Sequence, residues 1–244
     1  FKSTASNLSV FTTYYVRAYA RNAHGITYSD QIEVTTQDYA TDKWDGDKAT
    51  SFSGGSGTMW DPYIITTGGQ LLLVKDNPSK YFALGGNIDL NNKNWLPFEF
   101  EGTLDGKGYM ISNLYINRTD DYQGLFSKCS GTVSNLTVKN VTVNAPQCDY
   151  VGVISGKGGT FTNCKVLFST TSSVTGNNYV GGISGYGAKI TNCHVESSSA
   201  SPVVRGNRSV GGVIGCAEDN IEWCTVNARI AAAYYVGGVV GEAS

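Results

Sequence analysis

Charge is scarce in this chain of 244 residues: 16% of positions are Asp, Glu, Lys or Arg, and the formal balance is −2. No Lys/Arg cluster breaks that balance, so the chain lacks the electropositive field that nucleic acid or an anionic membrane surface would require. Nucleic acid is accordingly not expected as a partner. The longest run of Leu, Ile and Val is Leu71-Leu-Leu-Val74, far below a bilayer span, and no signal-peptide layout opens the chain. Membrane insertion of this segment is not expected. Histidine occurs only as His24, in the turn Asn22-Ala-His-Gly25, and His194, directly after Cys193, and neither placement suggests a triad. No CxxC pair supports a zinc site. Proline is limited to five residues against thirty glycines, and helical periodicity is missing between the glycine clusters, which suits strands and tight corners.

What the chain has is repetition. Tyr122-Gln-Gly-Leu-Phe-Ser127, Val151-Gly-Val-Ile-Ser-Gly156, Val180-Gly-Gly-Ile-Ser-Gly185, Val210-Gly-Gly-Val-Ile-Gly215 and Val236-Gly-Gly-Val-Val-Gly241 start 29, 29, 30 and 26 residues apart. A second phrase follows the first four: Val133-Ser-Asn-Leu-Thr-Val138, Phe161-Thr-Asn-Cys-Lys-Val166, Ile190-Thr-Asn-Cys-His-Val195 and Ile221-Glu-Trp-Cys-Thr-Val226. Short Val/Ile/Thr-rich segments recurring at that period predict coil stacked on coil. Equivalent positions would then lie about 4.8 Å apart along the stack.

The repeated slots carry structural expectations. Cys164, Cys193 and Cys224 share one slot, which favours an inward thiol column over disulfide bridges; spacing leaves the state of Cys129, Cys148 and Cys216 open. Positions one and four of the glycine phrase both want burial, yet an unbroken strand would point them to opposite faces. The phrase glycines are therefore expected to bend the chain at positive φ. Asn135, Asn163 and Asn192 are read as left-handed corner residues with laddered amides, Trp223 replacing the fourth. Asp105-Gly106 reads as a hairpin turn.

Tyr150, Tyr179 and Tyr235 each precede the phrase, with Ser209 breaking the series. An outward column of these rings is the candidate binding site, able to stack sugar faces or partner side chains. The plainer reading is that the rings only cover a corner, and parity does not set their orientation.

Four regions are predicted. Residues 1–36 hold Leu8-Ser-Val-Phe-Thr12-Thr-Tyr14, an alternating run to Ala20 and two further strands, and resemble the closing strands of a fibronectin type III module, with Val10 where that family usually has Pro. Residues 37–60 read as a Gly/Ser-rich linker; Asp42, Asp45 and Asp47 lack the ligand series of a calcium loop, and no metal is expected. Residues 61–121 are read as an N-terminal cap and first coils, with one short helix from Thr67 to Lys75 capped by Thr67. Residues 122–244 are the repeats.

The succession Trp44-Asp-Gly46, Gly54-Gly-Ser-Gly-Thr58, Asp61-Pro-Tyr-Ile-Ile-Thr66, Asn87-Ile-Asp-Leu90, Phe100-Glu-Gly-Thr-Leu-Asp-Gly-Lys-Gly108 and Ile111-Ser-Asn-Leu-Tyr-Ile116, followed by the glycine phrases, is similar to bacterial surface proteins with GLUG-motif repeats. Gln123, Ser127 and Val153 depart from the glycine pattern. The resemblance implies an all-β chain folded as a parallel β-helix, or β-solenoid, displayed outside the bacterial cell in modular adhesion proteins. The partial fibronectin-like segment and the interrupted last repeat imply a longer natural protein.

The expected function is a non-enzymatic adhesion module that presents a rigid repeat surface to a host or microbial glycan or an extracellular protein, with no cofactor. Two alternatives stand beside it. A polysaccharide lyase or hydrolase would need carboxylates converging on one groove, whereas the acids Asp120, Asp121, Asp149, Glu196, Glu218, Asp219 and Glu222 recur at no repeat slot. A passive spacer would need no ligand at all.

Overall fold

The computed structural model describes residues 12–35 and 43–244. The Leu8–Phe11 part of the fibronectin-like phrase and Asp42 lie outside those residues. The chain divides into two compact units, one up to residue 39 and one from residue 40 onward.

In the first unit Thr13–Val16 pairs antiparallel with Ile32–Thr35, and Tyr19–Asn22 with Gly25–Tyr28. His24 sits at the tip of the second hairpin, its amide donating to Asn22 Oδ1. Tyr15, Val16, Tyr19, Ile26, Tyr28, Ile32 and Val34 are exposed, so these pairs bury little of their own apolar surface.

The second unit is a parallel β-solenoid of about five turns, and every pairing between its named strands is parallel. Ile88–Asp89, Met110–Ser112, Thr137–Lys139, Lys165–Phe168, His194–Ser197 and Thr225–Asn227 stack into a six-stranded sheet. A five-stranded sheet runs from Tyr115–Asn117 to Ile230–Ala231. An eleven-stranded sheet runs from Tyr63–Ile65 through Phe126–Ser134 and Ser155–Thr162 to Val240–Ala243. Asn178–Gly181, Arg208–Gly211 and Tyr234–Gly237 form a narrow fourth sheet.

Register turns identical slots into columns. Ile88, Ile111, Val138, Val166 and Val195 lie one above another and are fully buried. So are Leu104, Val133, Phe161 and Ile190. Each such side chain contributes about 1.5–3 kcal/mol, whereas exposed ion pairs such as Lys128–Glu99 contribute about 0–1 kcal/mol. The aliphatic columns therefore dominate the stability.

Cys164 and Cys193 occupy the expected inward column, fully buried, with Cys224 half-buried above them. All six cysteines are free thiols. The neighbouring Cys164 together with burial pushes the Cys193 thiol up, which keeps it protonated and inert.

The only α-helix among the described residues is Gly68–Leu73, extended by a 3₁₀ turn Val74–Asp76. Thr67 caps it, its hydroxyl accepting from the Gln70 amide at 3.3 Å. Leu71 and Leu73 are buried, and Leu71 joins the cluster with Ile65, Phe82 and Trp44. Trp44 meets Trp95 edge-on at 5.3 Å, and the buried Trp95 donates Nε1 to Leu125 O at 2.9 Å. Phe82, Phe100 and Phe126 continue this aromatic packing up into the first repeat.

The asparagine corners form as expected. Asn135, Asn163 and Asn192 have φ of 53°, 54° and 51°, and the Trp223 that replaces the fourth has φ 52°. Asn192 Nδ2 donates to Asn163 Oδ1 at 2.7 Å, and Asn163 Nδ2 to Asn135 Oδ1 at 3.2 Å. Asn135 Nδ2 donates to Asp105 Oδ1 at 2.9 Å. Asp105 is thus the foot of this ladder and not part of a hairpin: its strand Thr103–Asp105 pairs parallel with Phe126–Ser134. The Asp-Gly signal reflects a tight turn inside a coil, where Lys107 and Gly108 take φ of 52° and 79°.

Candidate functional site

The corner before the glycine phrase departs from expectation in an informative way. Tyr122, Tyr150, Tyr179, Ser209 and Tyr235 have φ of 64°, 61°, 56°, 53° and 49°. A non-glycine residue in that region costs about 1–2 kcal/mol, and here five successive rungs accept it. The bend expected at the phrase glycines sits at the preceding residue instead. The peptide hydrogens at the bend still climb to the next rung, Tyr150 N to Asn178 O and Val151 N to Tyr179 O, both at 3.0 Å. Gly152, Gly181 and Gly211 have negative φ and answer a different demand. A Cβ at Gly181 would lie 2.0 Å from Ser184 O, and one at Gly211 2.0 Å from Ile214 O, because the two legs of each arc nearly touch.

The first repeat is also phased differently. Gln123, not Tyr122, stands opposite Val151, and Phe126 stands opposite Ser155, so this rung is one residue shorter across the arc. Gln123 therefore fills the valine slot and Val153 occupies buried interior space. Gln123 Nε2 donates to Asp120 O and Asp121 O, while its Oε1 is buried without a partner. Tyr122 belongs to the tyrosine column.

Tyr122 and Tyr150 stack with centroids 4.8 Å apart and planes at 5°, and Tyr150 and Tyr179 at 5.1 Å and 15°. Tyr186, from the strand Ser184–Tyr186, meets both Tyr150 and Tyr179 edge-on at 5.5 and 5.3 Å. Lys128 Nζ lies 5.0 Å from the Tyr122 centroid, and Lys157 Nζ 5.0 Å from that of Tyr186 and 5.8 Å from that of Tyr150. All three stacked rings are half-buried. Their inward-facing surfaces are taken by one another, so the strip offers ring edges, phenol hydroxyls and ammonium groups.

Of the three tyrosines singled out from sequence, the structure thus joins Tyr150 and Tyr179 and sets Tyr235 apart. The Ser209 rung interrupts the stack, and Tyr235, 57% exposed, lies under the Arg208 guanidinium at 4.8 Å. Tyr122, Tyr186, Lys128 and Lys157 were not predicted. Aligning the repeats on the residue before the arc would have found Tyr122. Lys128, Lys157 and Tyr186 share the slot directly after the glycine phrase, so the repeats align them with one another, but no sequence signal tells that this column, on a neighbouring strand, meets the tyrosines.

The electrostatics of the strip are mild. The hydrogen bond from Tyr186 OH to Glu218 Oε1, at 2.5 Å, keeps that phenol protonated and pushes its pKa up to about 12. Burial, assisted by the adjoining phenols, raises Tyr150. Beside the strip, an open groove of about 310 Å³ is lined by Glu99, Glu101, Lys128, Cys129, Ser130 and Lys157. Glu99 pairs with Lys128 at 3.2 Å, and burial pushes the Cys129 thiol up to about 12, which makes it a poor nucleophile at neutral pH. Away from the strip, in the six-stranded sheet, His194 Nδ1 lies 2.7 Å from Thr225 Oγ1 of the strand paired with its own. Asp45 accepts from the Asp47 amide in an exposed turn. No group of three or more His, Cys, Asp or Glu among the described residues is placed to hold a metal.

No family model matches the chain, and no solved structure matches it. Among curated proteins it is 35% identical over 123 residues to a putative Gly-rich membrane protein of Evansella cellulosilytica, covering 43% of the chain and 14% of that protein. It is 33% identical over 174 residues to halomucin of Haloquadratum walsbyi, covering 62% of the chain and 2% of that protein. The chain spans only a small part of either relative. Likeness to a membrane protein and to a halomucin points to a surface or extracellular setting. No helix among the described residues is long and apolar enough to cross a membrane.

Proposed function

We propose that this chain is a non-enzymatic adhesion module of a bacterial cell surface, a rigid solenoid whose Tyr122–Tyr150–Tyr179 strip engages a glycan or an extracellular protein. The observation that carries the reading is the strip itself: tyrosine occupies the left-handed corners of three successive rungs, where the backbone disfavours it. Strain of this kind persists where surroundings or function over-determine it. Lys128 and Lys157 add cations at the spacing of one rung, which suits acidic or hydroxyl-rich ligands contacted through ring edges. The GLUG-like motifs and the fibronectin-like preceding unit favour a modular adhesin.

The test is a glycan and extracellular-matrix array probed with the chain and with Tyr150→Ala/Tyr179→Ala. Loss of a bound signal in the double variant supports the strip, and an unchanged signal refutes it. A second reading, a carbohydrate-active enzyme, is favoured by Glu99 and Glu101 lining one groove beside Lys128 and Lys157. Release of reducing ends or unsaturated products from a polysaccharide, abolished in Glu99→Gln or Glu101→Gln, would establish it in place of adhesion.

A further inference from the structure

Met59 and Trp60, at the end of the segment read from sequence as a linker, form the tip of a tight loop just before the strand Tyr63–Ile65. Thr58 N donates to Asp61 O and Asp61 N to Thr58 O, both at 3.2 Å, and Asp61 N also reaches Thr58 Oγ1 at 3.1 Å. The base is clamped as well. Ser56 N donates to Asp61 O and Tyr81 N to Gly57 O, and a Cβ at Gly57 would lie 2.3 Å from the Tyr63 ring, so the loop backbone rests on that ring. A rigid two-residue tip normally carries polar residues. This one holds out an indole that is 89% exposed and a methionine that is 58% exposed.

We propose that Trp60 is a saccharide-stacking platform that takes the apolar face of a neutral sugar ring. Three observations select that ligand. The indole has open faces, unlike the rings of the tyrosine strip, and a planar open face is what the axial C–H surface of a pyranose covers. Hydroxyl and carboxylate groups of Ser56, Thr58 and Asp61 are exposed around it and supply the hydrogen bonds that orient a polyol. The loop from Gly54 to Pro62 itself carries no Lys or Arg and Asp61 adjoins the indole, so the tip, with Lys80 only at the base of the loop beside Tyr81, lacks the basic cluster that an anionic lipid surface requires. The clamped backbone means that little ordering entropy is lost on binding. The inference rests on the binding-module reading but relocates a contact from the tyrosine strip to this loop.

The experiment is affinity electrophoresis and pull-down of the full chain on cellulose, chitin, xylan, mannan and mixed-linkage glucan. The variants are Trp60→Ala, Trp60→Phe, Trp223→Ala and Tyr150→Ala/Tyr179→Ala, each checked for folding by circular dichroism. The expected result is retention on at least one of these polymers, with a shift of tryptophan emission to shorter wavelength. Trp60→Ala should weaken retention at least about tenfold and Trp60→Phe less, while Trp223→Ala, which removes another exposed indole, has no effect. Absence of retention on every polymer, or retention of Trp60→Ala equal to wild type, overturns the proposal. Trp60-dependent binding to phosphatidylcholine vesicles without saccharide binding also overturns it and assigns the tip to a bilayer. If only the tyrosine variant loses binding, the strip stands and the platform falls; if only Trp60→Ala does, the reverse holds.

Discussion

Glycine at 181 and tyrosine at 179 answer two demands of a single corner. The glycine makes room for Ser184 O, and the tyrosine turns the chain. Gly181→Ala is therefore expected to destabilise the solenoid by about 3 kcal/mol, since overpacking against backbone cannot be relieved by a side-chain shift; a denaturant midpoint measures it. Tyr179→Gly and Tyr179→Ala lose the same ring contacts but differ in backbone cost. The glycine variant should be the more stable of the two by about 1 kcal/mol. Equal stability would mean that the corner is not left-handed in solution. Tyr186 offers a separate check. Its phenol should titrate at about 12 by phenolate absorbance, and Glu218→Gln should return it toward the ordinary tyrosine value, because the hydrogen bond to that carboxylate is the chief cause of the shift.

At the scale of the element, the asparagine ladder and the tyrosine strip are two corner solutions with different legibility. Asn favours the left-handed region and bonds its neighbours, so Asn135, Asn163 and Asn192 announce their role individually. Tyr has no such preference, and its corner is dictated by coil geometry alone. Asn163 accepts from Asn192 and donates to Asn135. Asn163→Ala should cost about 1–2 kcal/mol, and Asn163→Gly roughly half of that, since glycine restores the backbone share; thermal unfolding distinguishes the two. At the foot of the ladder burial opposes ionisation of Asp105, but hydrogen bonds from Asn135 and Lys107 and the Lys107 charge outweigh it and hold the pKa below 3.8. The unfolded chain then binds the proton at higher pH than the folded one. Its stabilisation is full above that value and is lost as pH falls through the lower folded value. Asp105→Asn should flatten the acid limb of a stability–pH curve, and an unchanged limb would contradict the assignment.

At the largest scale, stability accumulates along the axis of the solenoid unit. Val151, Val180 and Val210 are fully buried, whereas Val236 in the same column is 57% exposed. Among the rungs of the solenoid, hydrogen exchange should therefore be fastest in the one from Thr225 to Ala243 and slowest in those around Val138 to Val195. Thiol labelling should follow the same gradient. Cys224 alone is only half-buried, so a neutral thiol reagent should modify it first, and denaturant should be needed to expose the other five.

Sequence by itself determined the solenoid, because a thirty-residue period with β-branched and glycine slots has one economical way to bury its columns. It determined the capped helix at Thr67 and the asparagine corners for the same reason: each rests on preferences carried by a few adjacent residues. Tertiary structure alone decided which residues occupy the candidate surface. Lys128, Lys157 and Tyr186 reach the Tyr122–Tyr150–Tyr179 stack from another strand, and the one-residue shortening of the first arc puts Gln123 inside and Tyr122 outside. Those outcomes depend on how closely successive backbones pass, a distance set by stacking between rungs and by no local property of the chain.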